Sequence, residues 1–187
     1  MLRLPLDTFL REFQKVVNRL ARFLKKRETE TREYARGCLC AIAKAAGPQL
    51  LYSIVSSLQF NLKDNFDRHV LNYTLFKVIE GMNLTSGQLD YCLPLILPTA
   101  VDELWGKTGD EKDMVARREA PTLKMEARKR KGLDLLQLVF GVLGRGQLNY
   151  CIDFLEKYLC LHLTSEDSLG KYDQMLGALA KGLSNNA

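Results

Sequence analysis

Long apolar runs are missing from this sequence of 187 residues. A membrane-spanning helix needs about 20 predominantly apolar residues, and charged residues interrupt every stretch before that length. Near the start, Arg3 is followed by Asp7, Arg11 and Glu12, which leaves no room for the unbroken apolar segment of a signal peptide. The sequence therefore predicts neither a membrane partner nor a secretory leader.

Histidine is scarce as well, with only two residues, His69 and His162. Metal centres and histidine-based catalysis are therefore short of ligands and bases from the outset. Cys38 and Cys40 have a single residue between them, whereas paired zinc ligands have at least two. We expect both histidines to be surface or core-edge residues, and we expect no metal and no other cofactor.

The remaining candidates for chemistry give no active site. Asp102 and Glu103 are adjacent, and adjacent residues on a helix do not face each other, so a paired acid and base is not formed. Gly141, Gly144 and Gly146 follow no strand and precede no phosphate-binding lysine, which indicates a helix end and a turn. The sequence therefore predicts that the protein is not an enzyme and has no small-molecule substrate.

The cysteines show no spacing typical of a disulfide framework. They are Cys38, Cys40, Cys92, Cys151 and Cys160. Each lies in or beside an apolar helical pattern, where a free cysteine behaves as a small apolar residue. We expect five reduced thiols and a reducing, intracellular environment.

Apolar residues at helical spacing are the dominant pattern, with no sustained alternation of period two. The first stripes are Phe9, Leu10, Phe13, Val16, Val17, Leu20 and Leu24, then Tyr34, Ala35, Cys38, Leu39, Ile42, Ala45 and Ala46, then Leu51, Ile54, Val55 and Leu58. Gly47 and Pro48 separate the second stripe from the third, which predicts a tight turn between antiparallel helices. Such hairpins bury their apolar faces by stacking, so we predict an all-α fold, an α-solenoid of HEAT-like hairpins, with a compact helical bundle as the alternative.

Two further features set the predicted organisation. Ser86 is a candidate cap for a fifth helix in which Pro94 and Pro98 predict a kink or a split. Residues 106–131 are charge-rich and weakly periodic. We therefore predict helical hairpin repeats over residues 1–105, a charged linker or insertion over 106–131, and further hairpins over 132–187, all in one continuous unit.

Positive charge is concentrated at the rear of that predicted linker. Within residues 117–131, seven basic and two acidic side chains give a local charge of +5, equal to that of the whole chain. The basic residues are Arg117, Arg118, Lys124, Arg128, Lys129, Arg130 and Lys131. Such a cluster is typical of phosphate contacts or nuclear import, and equally of a solvated segment that only aids solubility. A weaker cluster at Arg22, Lys25, Lys26 and Arg27 is followed by acidic residues and is interpreted as a solvated turn.

Four segments, in order along the chain, share the pattern of one protein family. The first runs over residues 28–58 and includes Glu28–Arg32 and Gly47-Pro48; the second is His69–Leu75, with the sequence HVLNYTL. The third is Val101–Gly106 with its acidic follow-on at Glu111–Asp113, and the fourth is Lys124–Arg128 with Lys131 and residues 134–137. Together these segments, which cover about residues 28–142, resemble the DRIM/Utp-twenty family of HEAT-repeat scaffolds in the small-subunit processome.

The resemblance implies a nucleolar, non-catalytic scaffold in pre-ribosomal RNA processing and small-subunit assembly. Its implied partners are pre-ribosomal RNA or small nucleolar RNA and other processome proteins. Residues alone also allow a HEAT-type protein–protein adaptor without RNA binding, in which the basic cluster serves as an import signal.

Overall fold

Eight α-helices make up most of the part of the chain that the computed structural model describes, which is residues 6–26, 28–105, 121–162 and 166–186. They are α1 (Leu6–Leu24), α2 (Thr29–Ala46), α3 (Leu51–Asn61), α4 (Asn65–Met82), α5 (Leu93–Leu104), α6 (Pro121–Gly141), α7 (Leu148–His162) and α8 (Glu166–Ser184). Short 3-10 turns precede α3, α5 and α7 at Pro48–Leu50, Asp90–Cys92 and Arg145–Gln147. These residues contain no strand, and the all-α prediction is confirmed.

The helices pack in two layers. Helices α1, α3, α5 and α7 form one layer, called here the odd layer, and α2, α4, α6 and α8 form the even layer. Contacts within the even layer run from α2 to α4, from α4 to α6 and from α6 to α8, and the odd layer begins with α1 against α3. Each hairpin therefore stacks on the next, as expected when a single hairpin cannot bury its own apolar face.

Polar pairs between neighbouring hairpins fix the direction and spacing of the stack. In the odd layer, Ser53 donates to Gln14 (2.6 Å), and the Asn61 amide donates to Asn18 (2.8 Å), so α1 and α3 run parallel. The partners in these two pairs lie 39 and 43 residues apart, and Gln59 donates to Thr99 across 40 residues. HEAT repeats are about 40–47 residues long, so the hydrogen bonds favour the solenoid over the bundle.

The tight turn predicted at Gly47 and Pro48 is confirmed. Gly47 has a φ of +79°, a value that side-chain-bearing residues rarely adopt, and Pro48 opens the 3-10 turn that leads into α3. Beyond the turn, Leu51, Ile54 and Val55 are fully buried. Local turn signals therefore located this hairpin correctly.

The predicted apolar stripe of α2 is buried only in part. Ala35, Leu39 and Ala43 are buried, whereas Tyr34 is 77% exposed and Cys38 is also exposed. The helix is apolar on two faces, and only one of them meets the core. The same holds for α1, where Val17, Ala21 and Leu24 are buried while Phe9, Leu10 and Val16 are exposed.

The fifth helix begins later than predicted. It starts at Leu93, with Pro94 in its first turn and Pro98 in its interior. The predicted helix is therefore split into a 3-10 turn and an α-helix, but the division lies before Pro94. Ser86 caps no helix; its hydroxyl donates instead to the carbonyl of Leu143 (2.8 Å), which joins this turn to the turn after α6.

The predicted linker is corrected at its rear end. Residues 121–131 belong to α6, and the helix continues without a break to Gly141. Proline at the first helical position and a run of lysine, methionine, glutamate, alanine and arginine all favour a helix, which outweighs the weak apolar periodicity. Residues 106–120 lie outside the described part of the chain.

The cysteines are all free, but they are not uniformly in apolar surroundings. Cys92 and Cys151 are buried, and burial raises the pKa of each thiol to about 12. Cys38 and Cys160 are exposed, which corrects their predicted placement within apolar stripes, and Cys40 is half-buried.

Native thiol titration at pH 8 is expected to give a fast phase from Cys38 and Cys160. A thiol of pKa about 12 has only about 10⁻⁴ of its population as the reactive thiolate at this pH, so Cys92 and Cys151 should react only after unfolding. The denatured chain should yield five thiols. A double variant, Cys38→Ser with Cys160→Ser, should remove the fast phase; a fast phase that persists in it would contradict the assigned burial.

Candidate nucleic-acid interface

The basic cluster predicted from the sequence lies largely on α6. Positions 124 and 128–131 all fall within this helix, and the structure describes the side chains from residue 130 onward. Arg130 and Lys131 are both exposed. Arg117 and Arg118 lie outside the described residues, as do the side chains of Lys124, Arg128 and Lys129. The cluster therefore belongs to a regular helix rather than to a loop.

Lys131 packs against an aromatic ring of the neighbouring hairpin. Its ammonium nitrogen lies 4.2 Å from the centroid of the Tyr73 ring on α4. The guanidinium carbon of Arg36 on α2 lies 4.6 Å from the same centroid. Two cations within about 6 Å of one ring are in the range of favourable cation–π contact. Tyr73 thus joins three helices of the even layer.

Arg36 is held from several sides, which fixes this arrangement. It is only 5% exposed, and its Nε donates to the hydroxyl of Thr74 (3.2 Å) while a terminal nitrogen pairs with the carboxylate of Glu33. A buried guanidinium needs such partners, because its desolvation is otherwise costly. Arg36 and Tyr73 therefore support the helix that carries the predicted basic residues. No single motif in the sequence marks them, since each resembles an ordinary helix residue.

A second lysine of the even layer is neutralised locally. Lys77 donates to Glu80 (2.8 Å), and this hydrogen bond raises the pKa of Lys77. Its ammonium group also lies 5.3 Å from the centroid of Phe76. Lys77 is therefore paired within its own helix.

Close packing holds α6 at the position next to the basic residues. A Cβ at Gly132 would lie 2.9 Å from the carbonyl oxygen of Ala100 and 3.4 Å from the Cβ of Glu103 on α5. Glycine at this position lets α5 and α6 approach closely. The exposed Arg130 and Lys131 thus directly precede the point at which α6 packs against α5.

Asp102, one of the two adjacent carboxylates, forms hydrogen bonds between helices. Asp102 accepts hydrogen bonds from Tyr158 on α7 and from Arg68 on α4 (3.4 Å). Burial, followed by the hydrogen bond to Asp102, raises the pKa of Tyr158. The adjacent Glu103 is buried, and His69 is half-buried; the His162 side chain lies outside the described residues. Asp102 therefore connects three helices.

Metal-binding clusters and membrane-spanning helices are both absent from the described part of the chain. No group of three or more histidine, cysteine, aspartate or glutamate side chains there is arranged to hold a metal ion. None of the helices formed by those residues has the length and apolar character needed to cross a bilayer.

Comparison with known proteins identifies relatives over the whole chain. The family model described as the U3 small nucleolar RNA-associated protein 20 domain matches residues 1–187. A protein of Schizosaccharomyces pombe named U3 small nucleolar RNA-associated protein 20 is 27% identical over 185 residues, 98% of this chain. The Saccharomyces cerevisiae protein of the same name is 26% identical over 100 residues, 52% of this chain. The matches span only 7% and 4% of the two yeast proteins.

Proposed function

Because the chain belongs to the family of the U3 small nucleolar RNA-associated protein 20 domain, we propose that it acts as a non-catalytic scaffold in small-ribosomal-subunit biogenesis. In this role it binds pre-ribosomal RNA or small nucleolar RNA and other processome proteins, and it works in the nucleolus. The family match over the full chain is the observation that carries the proposal. The yeast relatives are themselves named for association with a small nucleolar RNA.

The RNA contact is assigned to the basic residues of α6, together with Arg117 and Arg118 before the helix. Arg130 and Lys131 are exposed, and the Tyr73 ring restricts Lys131 to one region of the even layer. Lysine and arginine bind phosphates through charge and hydrogen bonds and release condensed counterions. A restricted cation loses less conformational entropy on binding than a free one, which favours this surface as the contact.

Neutralising the α6 cluster is expected to weaken RNA binding in a salt-dependent way. The variant replaces Arg128, Lys129, Arg130 and Lys131 with glutamine. Each phosphate contact contributes about 0.7 to the log–log salt slope for a single strand, so four contacts should flatten the slope by roughly two to three units. The cost in stability should be about 1 kcal/mol or less, since Arg130 and Lys131 are exposed and an exposed cation–π contact contributes about 0.5–1 kcal/mol. Fluorescence anisotropy with labelled single-stranded RNA at several salt concentrations measures the slope.

A charge-matched control separates local contact from overall charge. Replacing Lys44, Arg145, Lys157 and Lys181 with glutamine removes the same four charges from exposed positions on α2, α7, α8 and the turn before α7. This control should keep most of the salt slope. If the α6 variant binds RNA as the parent does, the cluster is not the RNA contact. If the parent itself binds no RNA, the chain acts as a HEAT-type protein adaptor.

A further inference from the structure

A second group of cations lies on the outer surface of the odd layer, along α1. Its members are Arg11, Lys15, Arg19 and Arg22, and all four are exposed. They follow one another at intervals of four, four and three residues, which places them within about 80° of each other around the helix. They extend over about 17 Å of the helix axis. This set, the α1 cationic stripe, is opposite the face that carries the buried Val17, Ala21 and Leu24.

Ion pairs leave most of the stripe uncompensated. Glu12 is the one acidic residue paired with it among the described residues, lying 2.8 Å from Lys15 and 3.7 Å from Arg11. These pairs are exposed, and exposed pairs are weak and screened by salt. Arg19 and Arg22 make no ion pair with any described residue.

The nearby Lys25 differs from the stripe because it forms ion pairs with another hairpin. It lies 3.3 Å from Asp64 and 3.4 Å from Asp67, and the Asp67 side chain is nearly buried. Lys25 therefore joins the end of α1 to the beginning of α4. The weak basic cluster of the sequence is thus divided: Lys25 belongs to the packing between hairpins, and Arg22 belongs to the stripe.

The stripe lines an open groove, whose lining residues carry polar or charged head groups on largely apolar stems. Lys15, Asn18, Arg19 and Arg22 form it, and Asn18 is fixed there by the amide of Asn61 on α3 (2.8 Å). No aromatic or aliphatic residue lines this groove, so it lacks the apolar anchor that commonly sits at the centre of a protein interface. A row of cations along the groove instead matches a chain of phosphates, which is bound through charge and hydrogen bonds.

We propose that the α1 cationic stripe is a second RNA-binding surface, which holds the phosphate backbone of a single strand. The proposal rests on the RNA-binding function assigned above. The stripe lies on the odd layer and the α6 cluster on the even layer, so the hydrophobic core separates the two surfaces. Each surface binds its own segment of RNA, and a strand long enough to pass around the edge of the stack occupies both.

The test uses the full chain and replaces the three cations of the groove, Lys15, Arg19 and Arg22, with glutamine. Three lost phosphate contacts should flatten the log–log salt slope by about two units. With an unchanged affinity at 1 M salt, this corresponds to roughly a hundredfold weaker binding at 0.1 M salt. Arg145, Lys157 and Lys181, replaced with glutamine, form the control of equal charge.

RNA length and the α6 variant distinguish the two assignments. In the α6 variant, a short single strand should still bind through α1, and adding the α1 substitutions should abolish that remaining binding. A long strand should bind the parent more tightly than a short one, because the second contact is intramolecular. If the α1 variant keeps the affinity and salt slope of the parent while the α6 variant loses them, the stripe is not an RNA surface and the proposed function stands. If neither variant changes because the parent binds no RNA, both assignments fail.

Discussion

The Leu39→Asp variant is expected to lose more than about 4 kcal/mol of folding free energy, because it places an unpaired carboxylate in the core. Leu39 is fully buried on α2, the helix that packs against both α1 and α4. Substitution also removes an aliphatic side chain, which by itself costs about 2–5 kcal/mol in a closely packed site. Urea unfolding followed by circular dichroism measures the change.

The neighbouring Cys38 supplies the matched control. Cys38→Asp introduces the same charge one residue earlier on the same helix, at an exposed position. Its effect should be within about 1 kcal/mol, mostly from helix propensity. The two residues belonged to one predicted apolar stripe, so equal destabilisation by both substitutions would overturn the assignment of the buried face.

A single added methyl group at Gly182 is expected to destabilise the last two hairpins. A Cβ there would lie 2.5 Å from the Cβ of Phe140, 2.6 Å from the carbonyl oxygen of Gln137 and 3.0 Å from the amide nitrogen of Gly141. Two of these atoms belong to the backbone of α6, so the helices must separate to accept alanine. Overpacking of this kind typically costs about 1–3 kcal/mol, and Gly182→Ala should fall at the upper end.

Gly177 lies on the same helix, and its substitution by alanine is expected to raise the stability instead of lowering it. A Cβ at Gly177 would meet nothing within 4 Å. Gly177→Ala should therefore stabilise the protein by about 0.5–1 kcal/mol, because alanine restricts the unfolded chain and favours the helix. The melting temperature should fall in Gly182→Ala and rise in Gly177→Ala. A melting temperature that rises in both would mean that α6 and α8 do not approach as closely as described.

Local patterns in the sequence were sufficient to predict the helices and the positions of several of their ends. The Gly47-Pro48 turn was predicted correctly because a positive φ and a proline-started turn depend on a few adjacent residues. Over residues 121–131, helix propensity favours the observed start of α6 at Pro121, whereas the weak apolar periodicity does not indicate a helix. The basic residues of the predicted RNA contact were likewise visible as a local excess of charge.

Tertiary structure decided which apolar face is buried and which cations lie together. Helices α1 and α2 each carry two apolar faces, so periodicity alone could not distinguish Leu39 from Cys38. Lys131, Tyr73 and Arg36 belong to three different hairpins and meet only through stacking. The physical reason is that helical periodicity depends on neighbouring residues, whereas burial and charge pairing depend on the hairpins stacked on either side. The sequence alone therefore determined the hairpins and their charges, and the stacking of the hairpins determined the surfaces.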